Sequence, residues 1–377
     1  MYIRPPKKRR SSPIRVLILL ALVAAGSYIL LYRRDIIEPL QLGPTPTPTP
    51  TADDVMVEAQ ELYLEGDVDG AMVKYEQASA LEPEDPEPHV WLSLLLTLRG
   101  RTAEGVEKAR EAVGVAPDSA RALAALCMAL DWDAGVGEQD KLQEALTACL
   151  SATDLDPTYA EAQAYLAEVY TDLGQVSQAV EAGRLAVSLD DSSVFAHRDL
   201  GYAFQKQRSY DQAVAEYQRA SQLHPRLAQP YIDLGHLYRM RNRYKDAISS
   251  YEKAAVVDPN SAYALDALGW WGYFKTGDYQ RAAVVLQDAT EVDPTYGPAY
   301  GHLGLTYYVL RNYEQAIPAY QRGLELGAAE PEYYYELGLS YVYLDRCDEA
   351  VPWLQKAVEI DPQAWPAWEG LDICAKD

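Results

Sequence analysis

From residue 52 to the end, apolar residues recur three and four positions apart, and polar turns interrupt them at regular intervals. Residues 228–261 show the pattern most clearly. Tyr231, Leu234, Gly235 and Tyr238 share one face of a helix, and Ala247, Tyr251 and Ala254 share a face of a second. Arg241, Asn242 and Arg243 break the apolar pattern and predict the turn between them. Gly235, Ala247 and Ala254 are small enough for two helix backbones to approach closely, and Tyr238 and Tyr251 fill the space that remains. Asp258-Pro259 ends the second helix, because proline lacks an N–H and disfavours helix at the residue before it. Such a hairpin cannot bury its apolar face alone and requires neighbours of its own kind.

The first 51 residues follow other rules. Residues 1–15 are basic. Residues 16–32, VLILLALVAAGSYILLY, carry no charge. As a helix this run spans roughly 25 Å, which predicts an uncleaved transmembrane anchor, with the stronger basic cluster holding the N-terminus in the cytoplasm and the remainder outside it; a signal peptide cleaved after Val23-Ala24-Ala25 is the rival reading. Residues 33–51 form a linker whose PTPTPTPT tract (44–51) favours extended polyproline II.

The hairpin at 228–261 resembles a tetratricopeptide repeat (TPR) in its Leu234-Gly235-Tyr238, Ala247/Tyr251/Ala254 and closing Pro259. The second-helix signature recurs as Ala71/Tyr75/Ala78/Pro83, Ala145/Cys149/Ala152/Pro157, Ala179/Gly183/Ala186 and Ala213/Tyr217/Ala220/Pro225. It continues as Ala282/Leu286/Ala289/Pro294, Ala316/Tyr320/Gly323 and Ala350/Leu354/Ala357/Pro362, with a weaker copy at Gly105/Ala109/Ala112/Pro117. The resemblance implies an all-α fold. The expected form is a right-handed α-solenoid of about nine hairpins over residues 52–364, closed by a capping helix at 365–377 with a polar outer face.

Departures from the frame carry further expectations. Repeats one and two are the most divergent. WDAGVGEQD (132–140) enlarges the turn of repeat three, as a tolerated surface insertion or, alternatively, a binding loop. Repeat seven is one residue longer than its frame, which predicts a π-bulge. Pro318 and Pro352 fall inside the second helices of repeats eight and nine and predict kinks there. Cys127 and Cys149 occupy facing positions of repeat three, and Cys347 and Cys374 lie at the start of the last hairpin helix and near the end of the cap. Each pair could form a disulfide, which would suit an oxidising compartment; buried small cysteines with a stray exposed thiol are the alternative.

Charge narrows the function. The net charge is −23, yet residues 1–34 hold eight basic residues and no acid, leaving 25 basic against 56 acidic residues in the rest. A body that acidic repels phosphates and disfavours nucleic acid. No nucleophile elbow, phosphate loop or metal motif is present, and the five histidines (89, 197, 224, 236 and 302) are dispersed over separate repeats. The sequence predicts neither an enzyme nor a cofactor.

The expected ligand is a protein or peptide. The resemblance implies that positions 2, 5, 9 and 12 of each first helix line a concave groove. Carried over by position, that stripe holds Phe195, Arg198, Tyr202 and Gln205, then Ile232, His236 and Arg239, then Tyr263, Asp266, Trp270 and Phe274. It continues with Pro298, Gly301, Leu305 and Tyr308, and ends with Tyr335, Leu339 and nearby Tyr343. The aromatic content of repeats seven to nine marks them as the expected groove, with Gly301 as a notch between aromatic walls. The overall expectation is a membrane-anchored scaffold acting outside the cytoplasm in envelope assembly or secretion. A glycan-handling protein and a self-associating array are the alternatives.

Overall fold

The computed structural model describes residues 12–32, 50–134, 138–328 and 330–376. Most of the linker at 33–51 and most of the basic tail at 1–15 lie outside them. The chain divides into two units, residues 1–50 and 51–377.

The first unit contains one helix, α1 (Pro13–Tyr32). Leu17, Leu19, Leu20 and Leu22 on it are all exposed. Among the described residues no helix is long and apolar enough to cross a membrane. The described residues thus place a helix over the uncharged run at 16–32. The uncharged run itself lies at the short end of what a bilayer requires, and Arg15 sits inside the first turn of the helix.

The second unit is a succession of nine helical hairpins and a final helix. Repeats one to three are α2 (Ala52–Glu65) with α3 (Val68–Leu81), α4 (Glu87–Leu98) with α5 (Thr102–Val115), and α6 (Ala120–Asp133) with α7 (Gln139–Leu155). Repeats four to six are α8 (Ala160–Asp172) with α9 (Val176–Leu189), α10 (Val194–Lys206) with α11 (Tyr210–Leu223), and α12 (Gln229–Met240) with α13 (Tyr244–Val257). Repeat seven pairs a segmented helix starting at α14 (Ala262–Ala267) with α15 (Tyr279–Val292). Repeats eight and nine are α16 (Gly297–Val309) with α17 (Tyr313–Glu325), and α18 (Pro331–Val342) with α19 (Cys347–Ile360). The last helix, α20 (Trp365–Cys374), packs on α18 and α19.

One small-to-large pairing explains the repeat. The glycine of the first helix faces a large side chain of the second. A Cβ added to Gly235 would lie 2.5 Å from the Tyr251 ring, and one on Gly304 would lie 2.6 Å from Tyr320. Tyr217, Tyr251 and Tyr320 are thereby fully buried. Repeat three replaces this pair with Cys127 and Cys149, which are bonded to one another with their Cα atoms 5.2 Å apart. Cys347 and Cys374 form a second disulfide, Cα–Cα 5.3 Å, which ties α20 to the start of α19.

The turns keep the period. A residue with positive φ ends the turn of each hairpin at Gly174, Arg208 and Asn242, and then at Gly277, Arg311 and Asp345. The interval lengthens by one residue between Asn242 and Gly277. A π-helical turn at Leu268–Tyr273, followed by a 3₁₀ turn at Phe274–Thr276, absorbs the extra residue, as the length of repeat seven predicts. Helices α17 and α19 run on through Pro318 and Pro352.

Two features depart from expectation. The outer face of α20 is mixed rather than polar: Glu369 and Asp372 are exposed, but so are Trp365, at 78 %, Trp368 and Ile373. The array also folds back on itself. Repeats one and two touch the connections that follow repeats five, six and seven. Arg226 Nη1 donates to the Glu65 carbonyl at 2.6 Å, and the rings of Tyr63 and His224 lie 4.8 Å apart. Arg99 meets Asp258 at 2.5 Å, and a Cβ on Gly100 would lie 2.9 Å from Tyr296.

Candidate functional site

The first helices of repeats three to seven turn their inner stripe toward a cavity of about 510 Å³, a size typical of ligand sites. Helix α6 contributes Asp131 and Trp132, and α8 contributes Glu168 and Asp172. Arg198, Tyr202 and Gln205 come from α10. Gln229, Asp233, His236 and Arg239 come from α12, and Tyr263 and Trp271 close the far side.

One end of this cavity is acidic. Arg198 Nη1 donates to Glu168 Oε1 at 2.7 Å and to Asp199 Oδ1 at 2.6 Å, and its Nε donates to Asp233 Oδ2 at 3.0 Å. The guanidinium lies 4.7 Å from the Trp132 ring, whose Nε1 donates to Glu168 Oε2 at 2.9 Å. Gln229 donates to the other oxygen of Asp233. Burial raises the pKa of Glu168, Asp199 and Asp233, and Arg198 pulls in the opposite direction. Burial, reinforced by Glu168 and Asp172, raises Asp131 well above the ordinary carboxylate range. At the rim, the Tyr202 hydroxyl donates to Asp172 Oδ1 at 2.5 Å.

The other end is cationic and aromatic. The Arg239 guanidinium lies 4.1 Å from the Trp271 ring. The Tyr251 hydroxyl and His236 Nδ1 share a hydrogen bond of 2.8 Å. Burial, with Arg239 nearby, lowers the imidazole pKa to about 4, which keeps it neutral.

The stripe residues named from sequence divide into two groups. Arg198, Tyr202, Gln205, His236, Arg239 and Tyr263 line the cavity. Phe195 lines an adjoining apolar pocket of about 150 Å³ with Met128 and Tyr165. Most of the others pack between repeats, whereas Pro298 and Tyr343 are exposed. Ile232 is fully buried, and Asp266 accepts from His302 at 2.7 Å. Trp270 is stacked between Phe274, 4.5 Å away, and His302, 4.1 Å away. Gly301 is not an open notch: an added Cβ would lie 2.3 Å from the Tyr333 ring, so the ring of the next repeat fills the space. Tyr308 and Tyr343 are 6.3 Å apart in a cluster with Tyr313, and Leu305 and Tyr335 are half-buried in the same core as buried Leu339. Residues 135–137 of the enlarged turn lie outside the described residues, although Trp132 at its start lines the cavity.

Asp131, Trp132, Glu168, Asp172, Asp233 and Trp271 are site residues that the sequence reading did not name. The signal was present for two of them. The positional rule applied to repeat five gives Asp131 at position 12 of repeat three and Glu168 at position 9 of repeat four.

The comparisons agree with this architecture. The family model described as tetratricopeptide repeat matches residues 137–194, 198–267 and 302–364, together about half of the chain. A comparison with curated proteins gives no match. Among solved structures the chain is similar to the Cut9–Hcn1 hetero-tetramer of the APC/C, 18 % identical with a TM-score of 0.57, covering 85 % of this chain and 63 % of that one. It thus spans under two thirds of that chain's length, and the likeness is one of fold. It is also similar to pilF of Pseudomonas aeruginosa, 19 % identical with a TM-score of 0.48 over 56 % of this chain and 96 % of that one. A third is YrrB, described as a TPR protein with an unusual peptide-binding site, 21 % identical with a TM-score of 0.42 over 51 % of this chain and 99 % of that one. With its hairpins, their glycine-to-tyrosine packing and the matches over three blocks of repeats, this chain belongs to the tetratricopeptide repeat family.

Proposed function

We propose that this chain is an interaction scaffold that takes a segment of a protein or peptide partner into the cavity of repeats three to seven. The observation that carries the reading is the cavity itself. It is about 510 Å³, lined by Trp132, Tyr202, Tyr263 and Trp271 and by charged groups of both signs. Aromatic walls with a few fixed polar groups are what a peptide side chain needs for burial and orientation.

A photo-crosslinking amino acid at Tyr202 in the native host tests this, with one at Val256 on the outer surface, 73 % exposed, as the control. A defined partner captured from position 202 and not from 256 is expected. Equal capture from both positions would sink the reading.

The finer reading is a tethered scaffold working outside the cytoplasm, in envelope assembly or secretion. Its support is the uncharged run at 16–32 beside basic residues, together with two disulfides, which persist in oxidising compartments. Protease added outside intact cells should then digest the repeats; full protection would refute that placement.

Self-association is a second reading, favoured by the exposed Trp365 and Trp368 on α20. Sedimentation of the full chain with Trp365→Glu and Trp368→Glu tests it, and unchanged association would exclude this face. The glycan reading needs bare aromatic faces. The Trp270 and Trp271 rings instead carry Lys275 and Arg239, at 4.0 and 4.1 Å.

A further inference from the structure

We propose that the acidic end of the cavity receives an arginine side chain of the bound segment, held by Asp131 with Glu168 and Asp172. This rests on the reading of the cavity as a peptide site and names the chemistry of what enters it.

The first observation is an excess of carboxyl groups. Asp131, Glu168, Asp199 and Asp233 gather around a single guanidinium, Arg198, which is bonded to three of them and not to Asp131. The structural needs of Arg198 are therefore met without Asp131.

The second observation is independent of the first. Asp131 is only 6 % exposed, it lines the cavity, and its Oδ1 has no hydrogen-bond partner. A buried acceptor left unmade is unfavourable, and a ligand carrying N–H donors removes that penalty. An organic cation with several N–H donors supplies such partners.

The walls suit a guanidinium in particular. Trp132 already stacks on Arg198 at 4.7 Å, and Tyr202 stands over the rim with its hydroxyl on Asp172. A planar fork can address two carboxylates while stacking on an aromatic face, which a lysine ammonium cannot do. The surplus of 56 acidic over 25 basic residues beyond residue 34 steers a cationic segment toward the array. Met128, Tyr165 and Phe195 stand three residues before Asp131, Glu168 and Arg198 on the same helices. One helical turn thus separates the acidic end from the apolar pocket, and an apolar neighbour of the arginine fits there.

Calorimetric titration of the full chain tests this with degenerate hexapeptides carrying a fixed central arginine, citrulline or glutamate. Citrulline keeps the shape and removes the charge. The arginine set should bind at least about tenfold more tightly than the other two. Asp131→Asn should abolish that preference while thermal stability stays the same or rises, because a buried unpartnered acid is removed; a structural role would lower stability instead. Asp172→Asn, at the more exposed rim, provides the same test should the first variant misfold. Equal binding of the three sets would overturn the inference and leave the peptide site standing. Binding of none of them would overturn both.

Discussion

Arg99 Nη1 lies 2.5 Å from Asp258 Oδ2 although 159 residues separate them, and both side chains are buried. Asp258 closes repeat six at a position where other repeats also hold an aspartate, and like them it engages the backbone two residues on, at Asn260. Asp156, Asp190, Asp293 and Asp361 each accept the backbone N–H two residues on. Arg99, at the end of α4, also donates to Asp69 at 3.0 Å and so joins three segments.

Removing one member of such a buried pair leaves an uncompensated charge. Arg99→Ala should lower stability by about 3–5 kcal/mol, whereas Arg99→Met with Asp258→Leu should recover most of the loss. Urea unfolding measures both, and faster hydrogen exchange in α3 and α4 would locate the damage.

Acid and base act on the array through different groups. His236 has its pKa lowered to about 4 from an ordinary 6.5. Between those values the unfolded chain binds a proton that the folded chain does not, so stability falls as the pH drops through that window. Glu336, which accepts the Tyr320 hydroxyl proton at 2.5 Å, is raised by burial to about 7 from 4.5. Here the folded chain holds the proton longer, and stability falls as the pH rises from 4.5 toward 7. Glu336→Gln keeps the acceptor and should stabilise the chain by roughly 2 kcal/mol near pH 8, with little effect near pH 4. His236→Gln should flatten the acid side of the profile. Denaturant midpoints against pH check both signs.

Gly301→Ala sets helix propensity against packing. Alanine gains about 1 kcal/mol in a helix interior. The new Cβ would meet the Tyr333 ring at 2.3 Å, and overpacking of this kind costs about 1–3 kcal/mol. A net destabilisation is expected, and Tyr333→Leu in the same chain should relieve it. A stabilised Gly301→Ala would mean that the ring is free to move aside.

The two disulfides close loops of 22 and 27 residues. Cross-links over such spans stabilise by about 3 kcal/mol each in the chain-entropy account. Unfolded, unreduced protein should expose no reactive thiol, and reduction should lower the midpoint of unfolding. Four reactive thiols before reduction would contradict the pairing.

The hairpins were legible because each is specified locally. Gly235 and Tyr251 lie within one repeat, and so do Cys127 and Cys149; even the extra residue of repeat seven showed itself as a broken period. The binding surface was legible only by halves. Position on a first helix identifies the inner stripe, but curvature decides whether a stripe residue faces a cavity or the next repeat. Trp270 and Gly301 obey the same spacing as Arg198 and Tyr202, yet His302 and Tyr333 cover them. The seam was not legible at all. Arg99 lies in a divergent repeat, and Asp258 belongs to a turn that looks like any other.

The seam also decides where the array comes apart. In an open solenoid either end can peel away, because a terminal repeat answers only to its neighbour. Here the N-terminal end is clasped to the middle by an ion pair, through Arg99 and Asp258, and the C-terminal helix is stapled by Cys347 and Cys374. The two ends therefore answer to different perturbations. Loss of one member of the ion pair loosens the first and leaves the second intact; a reductant does the reverse.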